Sequence, residues 1–206
     1  MPERSDPDDV GLTLDPARID DSPSRIQVKG MRFSHFPVGN ETLVGARFED
    51  CRFLKMKFSA ANMNNVELLG CTIVETAMNF VALGLATIRR STFTRCNLVE
   101  VGFHRATVED TRFESTQMTL GRFVNSTFRE VDGRGCWMNR ALFREATFED
   151  CDFRGVDLRD GRFEGATFVR CDLRGAKISP KPGSQPRWRF EECQSDGPLP
   201  PAVGDP

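Results

Sequence analysis

The sequence predicts an all-β solenoid, a chain wound into stacked coils around one narrow core, and three observations carry that prediction. Every fifth residue from Val28 to Ile178 is apolar, with Gly133 the sole exception. Two residues before each of these, from Ala46 to Ala176, stands a smaller side chain, and Met56 is the one bulky member. Tyrosine is absent, whereas all of the 17 phenylalanines except Phe36, Phe80 and Phe190 fall in the large-apolar column. A phenolic hydroxyl there would be buried without a partner, at a cost of a few kcal/mol. A period of five fits neither the helix repeat near 3.6 nor the strand repeat of 2, so the chain must turn once per unit. Short units that each bury one or two side chains share a core only by stacking.

Each unit runs small, polar, large-apolar, polar, polar. Units such as Ala146-Thr147-Phe148-Glu149-Asp150, Cys151-Asp152-Phe153-Arg154-Gly155 and Cys171-Asp172-Leu173-Arg174-Gly175 resemble the A-(D/N)-L-x-x unit of the pentapeptide-repeat family. The resemblance implies a right-handed quadrilateral β-helix with four units, and so 20 residues, per coil. The sequence agrees with that coil length. At a spacing of 20, Thr87, Thr107, Thr127, Thr147 and Thr167 form one column, and Asp132, Asp152 and Asp172 stand beside Arg134, Arg154 and Arg174. Spacings of 15 or 25 scramble both. With coils one strand separation apart, about seven of them make a rod on the order of 33 Å long.

Taken in order, residues 1–27 read as an acidic flexible tail, with Asp6-Pro7-Asp8-Asp9 and Asp20-Asp21-Ser22-Pro23. Residues 28–179 are the rod. Within it Gly133 leaves a gap between Phe113 and Phe153 that the rings, a bend or a glycine-only turn must close. Residues 180–206 form a proline-rich cap and tail, in which Trp188 or Phe190 is expected to cover the open end of the last coil. No secretory signal and no apolar run of membrane-spanning length is present, which predicts a soluble, cytoplasmic protein without membrane contact.

Nothing in the sequence points to catalysis, a cofactor or a metal. His104 occupies an outward slot and His35 lies in the irregular first coil, neither with a nucleophile pattern around it. Six cysteines (Cys51, Cys71, Cys96, Cys136, Cys151, Cys171) sit in the small column, and no CxxC pair exists. They read as small core residues, reduced rather than bridged, since side chains a full rung apart lie at the edge of disulfide geometry. A convex rod offers no cleft in which carboxylates could be tuned.

Binding remains, and the first expectation is a non-enzymatic protein-interaction module. Its contact surface is drawn from apolar residues in outward slots: Phe80, Leu85, Leu120, Trp137 and Leu142. The partner is another protein or a second copy of the chain. The resemblance implies a second possibility, since some bacterial members bind DNA gyrase or topoisomerase IV and protect them from antibiotics by presenting a duplex-like acidic rod. The matching strip here is Glu49, Asp50, Glu109, Asp110, Glu149 and Asp150, interrupted by Arg89, Arg90 and Arg129. Residues 28–179 hold 22 basic and 19 acidic side chains, a net charge near +3, which disfavours a uniform duplex mimic. The proline-rich end also departs from the C-terminal dimerisation helix of the gyrase-directed members. Direct nucleic-acid binding is not expected, because basic residues alternate with acidic ones.

Overall fold

The computed structural model describes residues 26–35, 42–184 and 187–199, and among these it contains strands, bridges and turns but no helix. The tail expected over residues 1–27 lies, apart from Ile26 and Gln27, outside the described residues, as does the end from residue 200. The fold is a parallel, four-walled β-solenoid. On the first wall, three-residue strands recur every 20 residues from Gln27–Lys29 to Thr167–Val169, and Arg189–Glu191 completes a nine-stranded parallel sheet. The register pairs Thr87, Thr107, Thr127, Thr147 and Thr167 in one column.

The second wall is a five-stranded parallel sheet from Arg32–Ser34 to Arg112–Glu114, continued by single bridges from Arg112 through Asp132 and Asp152 to Asp172. The third and fourth walls are built mostly from such bridges, Lys57 to Asp157 on one and Thr42 to Arg162 on the other, with turns between. Both kinds of wall use the same bonds. The N–H after a small residue donates down one coil, as Thr107 to the Ala86 carbonyl at 2.8 Å. Where no strand forms, the small residue's N–H also closes a turn on the preceding large residue, as Ala106 to Phe103 at 3.1 Å.

Both inner columns are buried along the rod. Rings stack where phenylalanines follow each other. On the fourth wall Phe103, Phe123, Phe143 and Phe163 succeed one another at centroid distances of 5.5, 5.2 and 5.0 Å. The gap at Gly133 is closed by a ring: a Cβ there would stand 2.8 Å from Phe153 Cε1. Its backbone is not left-handed. The positive φ of this stretch belongs to Gly135, at 68°.

The closing segment carries the solenoid past the seven or so coils the repeat predicts. After Pro180 the phase slips by two residues, so that Phe168 pairs with Phe190 and Asp172 bridges to Gln194, 22 residues on. Phe190, outside the column by counting in fives, therefore stacks on Phe168 at 5.1 Å. Trp188 is 2% exposed and packs 4.9 Å from Phe163, at the end of the fourth-wall stack.

Candidate interaction surface

Every described five-residue unit through Gly175 ends in a residue with positive φ, from Gly30 (67°) onward, and this places one left-handed corner between successive walls. No β-branched residue occupies such a corner, as its steric cost requires. That omission is a sequence signal for the corners themselves. Asn, Asp and Gly suit the conformation, whereas Phe80 (61°), Leu85 (58°) and Leu120 (61°) are bulky side chains held in it.

The structure divides the five apolar candidates into two groups. Phe80 and Leu85 stand at the two corners of the fourth wall in one coil, 54% and 53% exposed, and only Ala82 and Gly84 lie outward between them. Leu120 shares the corner column of Phe80 two coils on, with Glu100 between, and is half-buried. Trp137 is on the third wall, bridged to Gln117 and Asp157, and is 45% exposed. Half-buried Leu142 follows it on the fourth wall, between Arg122 and Arg162. Leu120, Trp137 and Leu142 thus gather near the Arg140 corner, a coil and more from Phe80. Val44, 49% exposed at the start of the same wall, escaped the sequence reading because the first coil is the least regular.

The acidic strip lies along the edge of the first wall, threaded by cations. Glu49 accepts from Lys29 at 2.6 Å, Glu109 lies 2.8 Å from Arg89 and 3.5 Å from Arg129, and Glu149 lies 2.8 Å from Arg129 and 2.6 Å from Arg170. Arg170 also holds Asp150 at 2.7 Å. Asp50 and Asp110 occupy the corner beside them, at φ of 54° and 43°. These hydrogen bonds hold the Glu49, Glu149 and Asp150 carboxyls below the usual range: Lys29 acts on Glu49, Arg129 and then Arg170 on Glu149, and Arg170 on Asp150. The strip continues further than counting by 20 shows, because the slipped final coil adds Glu191 and Glu192 to its columns.

On the upper second wall three guanidinia fold back on their own units, whereas Arg112 reaches Asp132 one coil on. Arg134, Arg154 and Arg174 each grip Asp132, Asp152 and Asp172 through two nitrogens, at 2.9 and 2.8, 2.9 and 2.6, and 2.9 and 2.5 Å. Arg159 does the same to Asp157 on the third wall.

All seven cysteines are free thiols. The buried ones take the place of Ser and Thr in the small column. Cys71 Sγ donates to the Phe48 carbonyl at 3.3 Å, much as Ser91 Oγ donates to Leu68 at 3.3 Å. Burial pushes the Cys136 thiol up to about 12, away from thiolate chemistry. No group of three or more His, Cys, Asp or Glu side chains among the described residues could hold a metal ion. His35 and His104 lie on different walls, and no helix among the described residues is long and apolar enough to cross a membrane.

With the four walls and the 20-residue register in view, residues 86–163 match the family model described as the pentapeptide repeat region. Over those residues the chain is a pentapeptide repeat region. No curated protein matches the chain. Among solved structures it is similar to QnrB1, described as a plasmid-mediated fluoroquinolone resistance protein. The two are 14% identical over 82% of this chain and 91% of that one, with a TM-score of 0.33. It is also similar to HetL, a pentapeptide repeat protein involved in heterocyst differentiation regulation in the cyanobacterium Nostoc. Identity there is 13%, over 87% and 91% of the two chains, with a TM-score of 0.34. Identities this low concern the fold alone, and at these scores the likeness adds no argument about what the pentapeptide-repeat rod binds.

Proposed function

We propose that this protein works by binding another protein, without chemistry of its own, through the apolar residues of its fourth wall and the adjoining third. The observation that carries this reading is the placement of Phe80 and Leu85. Each is more than half exposed and each sits in a left-handed corner. Such a corner costs a bulky L residue about 1–2 kcal/mol, and exposure of the side chain gains nothing in the free protein. Both penalties are offset where a partner covers the surface.

The test is Trp137→Glu. It leaves the melting temperature nearly unchanged, because the indole is outside the core, and it abolishes association measured by sedimentation or by pull-down. An unchanged association state removes the patch as the contact surface.

A second reading is a bacterial, cytoplasmic protein that binds DNA gyrase or topoisomerase IV and protects it from antibiotics. It is favoured by the upper edge of the first wall, where Glu109, Asp110, Glu130, Glu149, Asp150, Glu191 and Glu192 stand against Arg129 and Arg170. Purified protein would then rescue gyrase supercoiling from a cleavage-stabilising drug, and charge reversal at Glu109, Asp110, Glu149 and Asp150 would weaken the rescue. An interaction module with another partner does neither.

A further inference from the structure

The fourth wall has a charge of its own. On the other walls most cations are matched, Arg47 with Glu67, Arg95 with Glu75, Arg112 with Asp132, and the ladders of the first and second walls, while Arg32, Arg52, Lys55, Lys57, Arg90 and Lys177 make no ion pair with a described residue. On the fourth wall, its third-wall corner and the turn above it, Arg105, Arg122, Arg140, Arg144, Lys181 and Arg187 are all exposed. None of these six makes an ion pair with a described residue; Arg162, held by Glu164 at 3.1 Å, is the one that does. Glu100, Glu145 and Asp160 are the other carboxylates of this surface. With Lys181 and Arg187 of the turn counted, this surface holds seven basic and four acidic side chains, and it lies where Leu120, Trp137 and Leu142 gather.

The shape of the surface agrees with its charge. The phase slip after Pro180 throws the turn at Lys181–Ser184 over the wall. Beside it opens a cleft of about 390 Å³, lined by Leu120, Arg140, Asp160, Arg162, Lys181 and Pro182. Next to the cleft runs the column in which Leu142 separates Arg122 from Arg162, each about 4.8 Å from the next as neighbouring parallel rungs are. Arg122 and Arg162 thus stand two rungs, about 10 Å, apart, where exposed charges repel only weakly, and a partner's carboxylates would supply the counter-charge that Arg122 lacks. Tryptophan and arginine around leucine, with a concave site among them, is the composition of an interface centre.

We infer that the upper fourth wall, centred on Leu142 and the Leu120 cleft, docks an acidic protein segment that carries apolar anchors. This rests on the interaction-module reading and specifies the partner's chemistry. The carboxylates approach Arg122, Arg140, Arg144 and Lys181, while an apolar side chain covers Leu142 and Leu120. The rod thus presents opposite signs on two edges, and a partner that fits one is repelled by the other.

The test uses fluorescently labelled 16-residue peptides in anisotropy titrations against the full chain: one alternating Glu and Leu, one alternating Lys and Leu, one alternating Ser and Leu, and a 16-base-pair DNA duplex. The acidic peptide is expected to bind best, and to lose affinity about tenfold or more in Arg122→Glu/Arg144→Glu and between about 50 and 300 mM salt. Leu142→Ser weakens it further, whereas Arg129→Glu, on the first wall, leaves it unchanged. Equal binding of the Ser peptide, no binding of the acidic peptide, or indifference to the Arg122/Arg144 reversal overturns the inference. So does tighter binding of the duplex with the same dependence on Arg122 and Arg144, which makes the wall a nucleic-acid site. Self-association that disappears in Arg122→Glu/Arg144→Glu, without peptide binding, overturns it in favour of a second copy. If Trp137→Glu abolishes association while Arg122→Glu/Arg144→Glu does not, the acidic partner falls and the interaction module stands.

Discussion

The first and fourth walls are the same structure on the inside and different structures on the outside. Inside, both present large apolar side chains at every rung, and both end in stacked rings. Phe128, Phe148, Phe168 and Phe190 follow at 5.4, 4.8 and 5.1 Å on the first wall. Phe143, Phe163 and Trp188 follow at 5.0 and 4.9 Å on the fourth. Outside, the first wall carries nine strands, a threonine column and alternating ion pairs, whereas the fourth carries bridges, turns, unmatched cations and bare apolar corners. The difference separates two kinds of selection on one repeat. The inward slots are fixed by the stack and cannot vary from wall to wall, while the outward slots are free to, and the surface that breaks the polar pattern is the one proposed above to make contacts.

The largest effects should therefore not distinguish the walls. Phe148→Ala on the first and Phe143→Ala on the fourth each remove a fully buried ring from a stack, and each is expected to cost about 3–5 kcal/mol in denaturant unfolding. If one costs about 2 kcal/mol more than the other, the strands of the first wall contribute to the core as well as to the surface, and the separation of inside from outside fails.

That same separation explains what was legible in the sequence. The core could be read by counting, because a period of five leaves each inward slot one permitted chemistry, and the coil of 20 implied by the family resemblance agreed with the threonine column. Counting failed at Phe190 and Cys193. The two residues inserted after Pro180 belong to a turn, and turns leave no periodic trace. The candidate surface was legible only in part. Phe80, Leu85 and Trp137 show as apolar residues in polar slots, but whether Leu120 and Leu142 are covered depends on neighbours such as Pro182 and Arg122. The ion pairs were least legible. Arg134 could reach Asp132 in its own unit or Asp152 in the next, and the structure shows it gripping the first at 2.8 Å with the second at 3.6 Å.

An intermediate effect should separate the walls by sign. Leu85→Asn on the fourth wall replaces an exposed leucine in a left-handed corner by a residue that tolerates it, and is expected to stabilise the protein by about 0.5–1 kcal/mol. Asp110→Asn at a first-wall corner should change stability little, since aspartate already suits the conformation. Thermal melts of the two variants, beside their association states, measure this. A rise in melting temperature together with weakened association shows that Leu85 is kept for contact at the expense of stability. A fall in melting temperature shows instead that Leu85 packs against its own coil.

The smallest effect concerns acid. The carboxyls held low by hydrogen-bonded cations include Asp132 and Asp172 on the second wall, through Arg134 and Arg174, and Asp157 on the third, through Arg159. A carboxyl whose folded value lies below its unfolded value stabilises the fold at pH above the ordinary carboxylate range, about 3.9 for Asp, and loses that contribution as pH falls through the folded value. The melting temperature should accordingly be level from pH 7 to about 5 and decline below about 4. Replacing Arg134, Arg154 and Arg174 by Gln should flatten that decline while lowering the melting temperature at neutral pH only slightly, because exposed pairs contribute little there. Arg122→Gln/Arg144→Gln, at two fourth-wall residues that make no ion pair with a described residue, should leave the acid limb as it is. An acid limb that flattens in the fourth-wall variant and persists in the second-wall variant would place the titrating pairs on the wrong wall, and with them the charge asymmetry on which the acidic partner depends.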